Sequence, residues 1–167
     1  LQVEHPITEM VTGFDLVKEQ IRVAAGEKLS FTQNDIQPKG HAMECRVYAE
    51  DGFNNFSPSS GRIHELYLPH GIGIRLDEGI HVGQQISPYY DSLLVKLITW
   101  GKTRNIALNR MSRALNEFHI TGVSSTIPFC LMLLQHQTLQ KGQYSTFTLN
   151  AVKSELIKKL NINKLNN

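Results

Sequence analysis

Residues 41–51 read HAMECRVYAED, and their spacing decides the fold. Met43, Cys45, Val47 and Ala49 fall on one side of an extended chain, and Ala42, Glu44, Arg46 and Tyr48 fall on the other. A period of two predicts a strand with one apolar face and one mixed face. Working forward, residues 52–61 are rich in Asn, Ser, Gly and Pro and predict a loop. GRIHELYLP (61–69) and GIGIRLDEG (71–79) read as two further strands, and HVGQQI (81–86) as a short one. SLLVKLITW (92–100) is almost continuously apolar, which predicts a strand buried on both faces.

Helical patterns lie on both sides of these strands. Before them, Phe14, Val17, Ile21 and Ala24 recur at three- and four-residue spacing, and Gly26 stands at a C-cap position, so one helix is expected after Pro6. Pro6 disfavours helix in the residue before it, so residues 2–5 are expected to be extended. SFTQNDIQPKG (30–40) reads as a linker. After the strands, Thr103 can cap a helix whose stripe is Ile106, Ala107, Met111, Ala114, Leu115 and Phe118. ITG (120–122) breaks the chain, and residues 126–135 predict a short helix that tolerates Pro128 in its first turn. Leu149, Val152, Leu156 and Leu160 predict a last helix over about 148–160, followed by a frayed polar tail. Strands that are not separated one by one by helices give an α+β class: an antiparallel strand cluster with flanking helices. The expected division is 1–30, a linker at 31–39, a main domain at 40–147, and a terminal helix and tail at 148–167.

Composition narrows the function. Hydrophobic residues are 41% and charged residues 19% of 167, which is ordinary for a globular domain. A net charge of +2 gives no reason to expect nucleic acid or an anionic membrane as partner. No apolar run approaches the roughly 20 residues of a membrane-spanning helix. Two distant cysteines make no disulfide framework, and a reduced, cytoplasmic setting is expected. The seven histidines lack paired metal-ligand spacing, so no metal site is expected in this chain.

The chemically loaded residues are few. Gln2 and Glu4 would share one face of an extended segment, a carboxylate base beside an amide, or simply a solvated strand end. Arg46, inside a well-patterned strand, is either paired with Glu44 or turned toward a cavity. Cys45 reads as a small core residue. Tyr90, Asp91 and Ser92 stand before a buried strand, where they can line a pocket or cap a turn. GIGIR (71–75) has two glycines of a phosphate loop but no third and no following helix.

Four motifs in this order carry a resemblance that spacing alone does not: LQVEHPITEM (1–10), GHAMECRVYAED (40–51), the F-x-P-S-x-G of residues 56–61 and PYYDSLLVKL (88–97). Together with GKTRNIALNRMSRALNEFHITGVSST (101–126) they resemble biotin carboxylase, most closely the subunit of bacterial acetyl-CoA carboxylase. The resemblance covers all but the last twenty or so residues. It implies a C-terminal fragment that opens with the tail end of an ATP-grasp domain. It also implies that the dense opening cluster continues from a longer chain carrying the nucleotide and Mg2+ sites.

The implied activity is carboxylation of carrier-bound biotin with ATP and bicarbonate, the fragment alone being inactive. The alternative is a non-catalytic dimerisation or carrier-docking module. By the resemblance, Glu4 is the general base for bicarbonate, and Gln2 and the Val3 backbone hold it. Arg46 holds bicarbonate and steadies the biotin enolate, with Tyr90 and Asp91 near the biotin side. Thr146 falls near the adenine-contacting tail. Arg75 matches a dimer-interface position, and Ile72 stands where many bacterial members carry Phe, a departure at that contact. The implied partners are the biotin carboxyl carrier, a carboxyltransferase and a second copy of the chain. The acyl acceptor stays open among acetyl-CoA, propionyl-CoA, methylcrotonyl-CoA and pyruvate.

Overall fold

The computed structural model describes residues 1–52 and 54–165, with side chains in the last helix to Leu156 and at Lys158. The alternating stretch forms β1, His41–Tyr48. It pairs antiparallel with β8, Leu93–Gly101, which pairs on its other side with β6, Ile74–Glu78. The resulting order is β1-β8-β6, so the long apolar strand is central. Around it lie two-residue strands, β2 (Glu50–Asp51) with β3 (Ser57–Pro58) and β4 (Gly61–Arg62) with β7 (Gln85–Ile86). β5, Glu65–Tyr67, pairs with β9, His119–Thr121. The expected strand over 61–69 is therefore two short pieces, and the ITG segment forms part of β9 where a simple break was expected.

The alternation in β1 separates the two faces as its spacing requires. Val47 and Ala49 are fully buried with Val95, Leu97, Met111, Ala114 and Leu115, and Met43 and Cys45 pack against that core. The core side is closed by α3, Arg104–Glu117, whose Thr103 N-cap accepts from the Ile106 amide at 3.3 Å. Thr99, also buried, donates its hydroxyl to the Ala107 carbonyl at 2.8 Å and so stays satisfied inside the core. Beyond α3 lie α4 (Ile127–Gln135, with Pro128 in its first turn), α5 (Gln137–Gln140) and α6 (Thr148–Leu165). Val152 and Leu156 of α6 are buried against Phe129, whereas Leu149 is exposed; the side chain of Leu160 lies outside the described residues. The helix also continues to Leu165, past the expected end near 160.

The N-terminal segment differs most from expectation. Residues 2–5 are not extended: Gln2 O accepts from the His5 amide at 3.2 Å in a turn, and α1 runs His5–Thr12 with Pro6 at its start. Proline is well tolerated there because a first-turn N–H has no intrahelical partner. The one expected helix is two. Gly13 takes a left-handed φ of 81°, which ends α1 at little steric cost. Asp15 then caps α2, Leu16–Ala24, by accepting from the Lys18 amide at 2.9 Å.

Candidate functional site

The mixed face of the sheet is where charged groups collect. The register sets Arg46 of β1 beside Lys96 of β8, and Lys96 beside Asp77 of β6; one step away, Glu44 and Arg75 flank Ile98. α1 packs across this face, against β1 and β8. Two ion pairs fasten it. Arg46 donates from Nη2 to Glu4 Oε2 at 2.7 Å, and Arg75 from Nη1 to Glu9 Oε2 at 2.6 Å. The other Glu9 oxygen accepts from the Leu16 amide at 2.7 Å, so one carboxylate ties α1, α2 and the sheet together. The open Arg46–Glu4 pair is of the kind that contributes about 0.2–1 kcal/mol; the Arg75–Glu9 pair is more enclosed, with the Glu9 side chain 9% exposed. Each large apolar side chain buried on the opposite face contributes about 1.5–3 kcal/mol, so the core face does most to fix the sheet.

Arg46 lies between two unlike carboxylates. Glu4, at the turn before α1, is half exposed. Glu44 is only 4% exposed and accepts from Arg46 Nε at 3.2 Å, while its second oxygen is buried with no hydrogen-bond partner. Burial pushes the Glu44 carboxyl above the usual carboxylate range despite the opposing Arg46 contact. Partial burial disfavours the Arg46 charge, but hydrogen bonds to Glu44 and Tyr48 outweigh it and hold its pKa above the ordinary value. The guanidinium is thus a fixed cation, steered from behind by Glu44, with one amino group turned toward an accessible carboxylate. Such a planar donor fork suits a small oxyanion, and an open carboxylate beside it suits proton abstraction.

The fold brings together some of the sequence candidates and separates others. Glu4 and Arg46 meet directly. Gln2 and Val3, both exposed, sit in the same turn as Glu4, though not by the strand alternation expected for them. Tyr90 is 83% exposed, and Asp91 accepts from the Leu93 amide at 2.8 Å, the turn-capping alternative. Both line a different cavity, of about 400 Å3, with Asp77, Gln84 and Leu94. Ile72 is 86% exposed. Arg75, by contrast, commits Nε and Nη2 to Asp77 at 2.7 and 3.1 Å and Nη1 to Glu9. GIGIR is a turn into β6, with the Ile74 amide donating to Gly71 O at 3.1 Å. Thr146 is exposed in the turn before α6, two residues past Tyr144. Tyr144, Glu44 and Arg46 line a cavity of about 380 Å3, mostly apolar, between β1 and the C-terminal helices.

The pairing of Arg46 with Glu44, one of the two alternatives its strand position left open, is present, and the cavity on that side is present as well. Two features escaped the sequence reading: Glu9 is a bridge between elements, and Cys130 comes to lie against Cys45. The first carried a weak signal, a carboxylate at helical spacing from the Glu4 turn. The second carried none. Among the described residues no group of three or more His, Cys, Asp or Glu could hold a metal ion. No helix among them is long and apolar enough to cross a membrane.

Comparison with known proteins identifies the family. Residues 44–151 match the family model of the biotin carboxylase C-terminal domain, and residues 1–32 match that of the carbamoyl-phosphate synthase L chain, ATP binding domain. The chain is 53% identical over 146 residues to biotin carboxylase 1 of Bacillus subtilis, covering 87% of this chain and 32% of that protein. It is 51% identical over 146 residues to a pyruvate carboxylase subunit of Methanothermobacter thermautotrophicus, covering 87% of this chain and 30% of the relative. Among solved structures, the biotin carboxylase domain of a thermophilic 2-oxoglutarate carboxylase bound to bicarbonate superposes with a TM-score of 0.90 at 43% identity, covering 94% of this chain and 35% of that one. The chain spans about a third of the length of the relatives it matches.

Proposed function

The chain belongs to the biotin carboxylase C-terminal domain family, and from that premise we propose that it forms the C-terminal part of an enzyme that carboxylates carrier-bound biotin with ATP and bicarbonate. The observation that carries this reading is the Glu4–Arg46 pair, an accessible carboxylate at 2.7 Å from a guanidinium held in place by a buried Glu44. A structural neighbour that carries bicarbonate in its solved form supports it.

In this reading Glu4 takes the bicarbonate proton. The oxyanion then attacks the terminal phosphate of ATP, giving carboxyphosphate and ADP. Gln2 and the Val3 backbone help hold bicarbonate beside it. Arg46 binds the anion by charge, then steadies the negative charge that gathers on the ureido oxygen of biotin as its nitrogen is carboxylated. Tyr90 and Asp91 flank the approach of biotin, and Thr146 stands near the adenine. Nucleotide and Mg2+ ligands come from residues outside this chain, so the 167 residues alone do not cleave ATP. The match of residues 1–32 to an ATP-binding domain model and of 44–151 to the C-terminal domain model supports a division at the 31–39 linker. The carrier protein, a carboxyltransferase and a second copy are the proposed partners, in the cytoplasm, with acetyl-CoA carboxylase and fatty acid biosynthesis as the proposed setting.

The test is phosphate release from ATP by the full-length protein with and without bicarbonate and free biotin, alongside the 167-residue chain. Release that needs bicarbonate and is raised by biotin in the former, and no release in the latter, is expected. Bicarbonate-independent release by the full-length protein overturns the reading.

A further inference from the structure

Cys45 lies mid-strand in β1 and Cys130 near the start of α4, far apart in sequence. The fold brings the two side chains together as neighbours on the wall of one cavity and against the same core. Both are only part-buried, and both line the 380 Å3 cavity beside Arg46, which gives a small molecule a route to the sulfurs. Thr126 is 4% exposed; its hydroxyl accepts from the Tyr48 amide at 3.1 Å and its carbonyl accepts from the Cys130 amide at 2.9 Å. The neighbouring Cys45 and Thr126 side chains favour the Cys130 thiolate and lower its pKa, whereas the Cys45 thiol is pushed up by Cys130 and by burial. Cys45 and Cys130 are the two cysteines of these 167 residues.

We propose that Cys45 and Cys130 form a reversible dithiol–disulfide couple, a site of oxidative modification that takes hydroperoxides as oxidant. The Cys130 thiolate attacks one peroxide oxygen and the O–O bond breaks. With hydrogen peroxide the leaving hydroxide takes up the proton that Cys130 gave up on ionising and becomes water, and Cys130 becomes a sulfenic acid; an organic hydroperoxide leaves as its alcohol instead. The Cys45 sulfur then attacks the Cys130 sulfur, the S–O bond breaks, and the departing hydroxyl leaves with the Cys45 proton as a second water. Two thiols have supplied the two electrons that reduce the peroxide. Closing the bond draws the sulfurs to about 2.05 Å, which pins β1 to α4 one residue from Arg46.

The test uses dilute 167-residue chain treated with hydrogen peroxide, then iodoacetamide, and mapped as peptides without reductant. A cross-link between the Cys45 and Cys130 peptides is expected, lost on dithiothreitol treatment, with both thiols then alkylated. It should form about tenfold or more faster in the folded chain than in the same chain in urea, because the fold pre-positions the sulfurs. Cys45→Ser should leave a dimedone-reactive sulfenic acid at Cys130, and Cys130→Ser should leave several-fold less at Cys45; equal labelling of the two variants would remove Cys130 from the attacking role. Two freely alkylated cysteines after peroxide, a disulfide only between chains, or equal rates in buffer and urea would overturn the proposal. None of these outcomes depends on carboxylase activity, so the proposed function stands or falls separately.

Discussion

Arg46 and Arg75 are both flanked by carboxylates, yet those carboxylates respond to pH in opposite directions. Glu44, raised by burial, is a group whose folded pKa exceeds its unfolded one. Its contribution to stability is fully present below the ordinary Glu value and is lost as pH rises through the folded value. Glu44→Gln, which cannot ionise, should therefore look better relative to wild type at pH 7 than at pH 4 in thermal melts; the reverse trend would contradict the assignment. At Asp77 burial also works against the charge, but hydrogen bonds from Arg75 and Lys96 win and hold its carboxyl below the usual range. Its stabilisation is present above the ordinary Asp value and is lost as pH falls through the depressed one. Asp77→Asn should cost about 1–3 kcal/mol at pH 7 and progressively less under acid, read by denaturant unfolding at several pH values.

The elements differ in how firmly they are held. α1 is fastened by Glu4, Glu9 and a buried Pro6, and the Lys39 amide donates to Val11 O at 2.7 Å from the far side of the linker. α2 leaves Val17, Ile21 and Val23 exposed, with only Glu19 buried, bound to the Ser30 amide and hydroxyl at 2.9 and 2.6 Å. Amide exchange of the isolated chain should therefore be slowest in β8, intermediate in α1 and fastest in α2; α2 protected as well as β8 would contradict this packing. The long elements were legible because their signals are local and redundant. β1 and β8 announce themselves by period and composition, and α3 by its stripe and its Thr103 cap. The Gly13 break was legible in principle but was hidden by apolar residues that kept helical spacing across it, from Met10 through Phe14 to Val17. β9, three residues long, exists only because β5 pairs with it, and no local pattern encodes a partner 54 positions away. The candidate site divides the same way. Glu4 and Arg46 were legible through motif, but the docking of α1 that joins them across the sheet is a tertiary event.

For the whole molecule, the exposed Ile72 and the internally committed Arg75 assign different work to two neighbouring residues. In the full-length protein, Ile72→Asp should weaken self-association by about tenfold, measured by sedimentation equilibrium, with little change in stability. Arg75→Ala should do the opposite, destabilising the fold by releasing Glu9 and Asp77; weakened association without loss of stability would return Arg75 to the dimer contact. The central claim is that Glu4 and Arg46 act on the substrates and not merely on each other. It is tested most directly by measuring bicarbonate-dependent ATP cleavage and carboxybiotin formation in parallel on full-length Glu4→Gln and Arg46→Ala. Glu4→Gln, unable to accept a proton, should lose on the order of 10²–10⁴ in bicarbonate-dependent ATP cleavage, with its melting temperature nearly unchanged. Arg46→Ala should lose more carboxybiotin formation than ATP cleavage. Unimpaired cleavage in Glu4→Gln, or equal losses in both activities for Arg46→Ala with a large fall in melting temperature, would contradict the account and leave the pair a structural ion bridge.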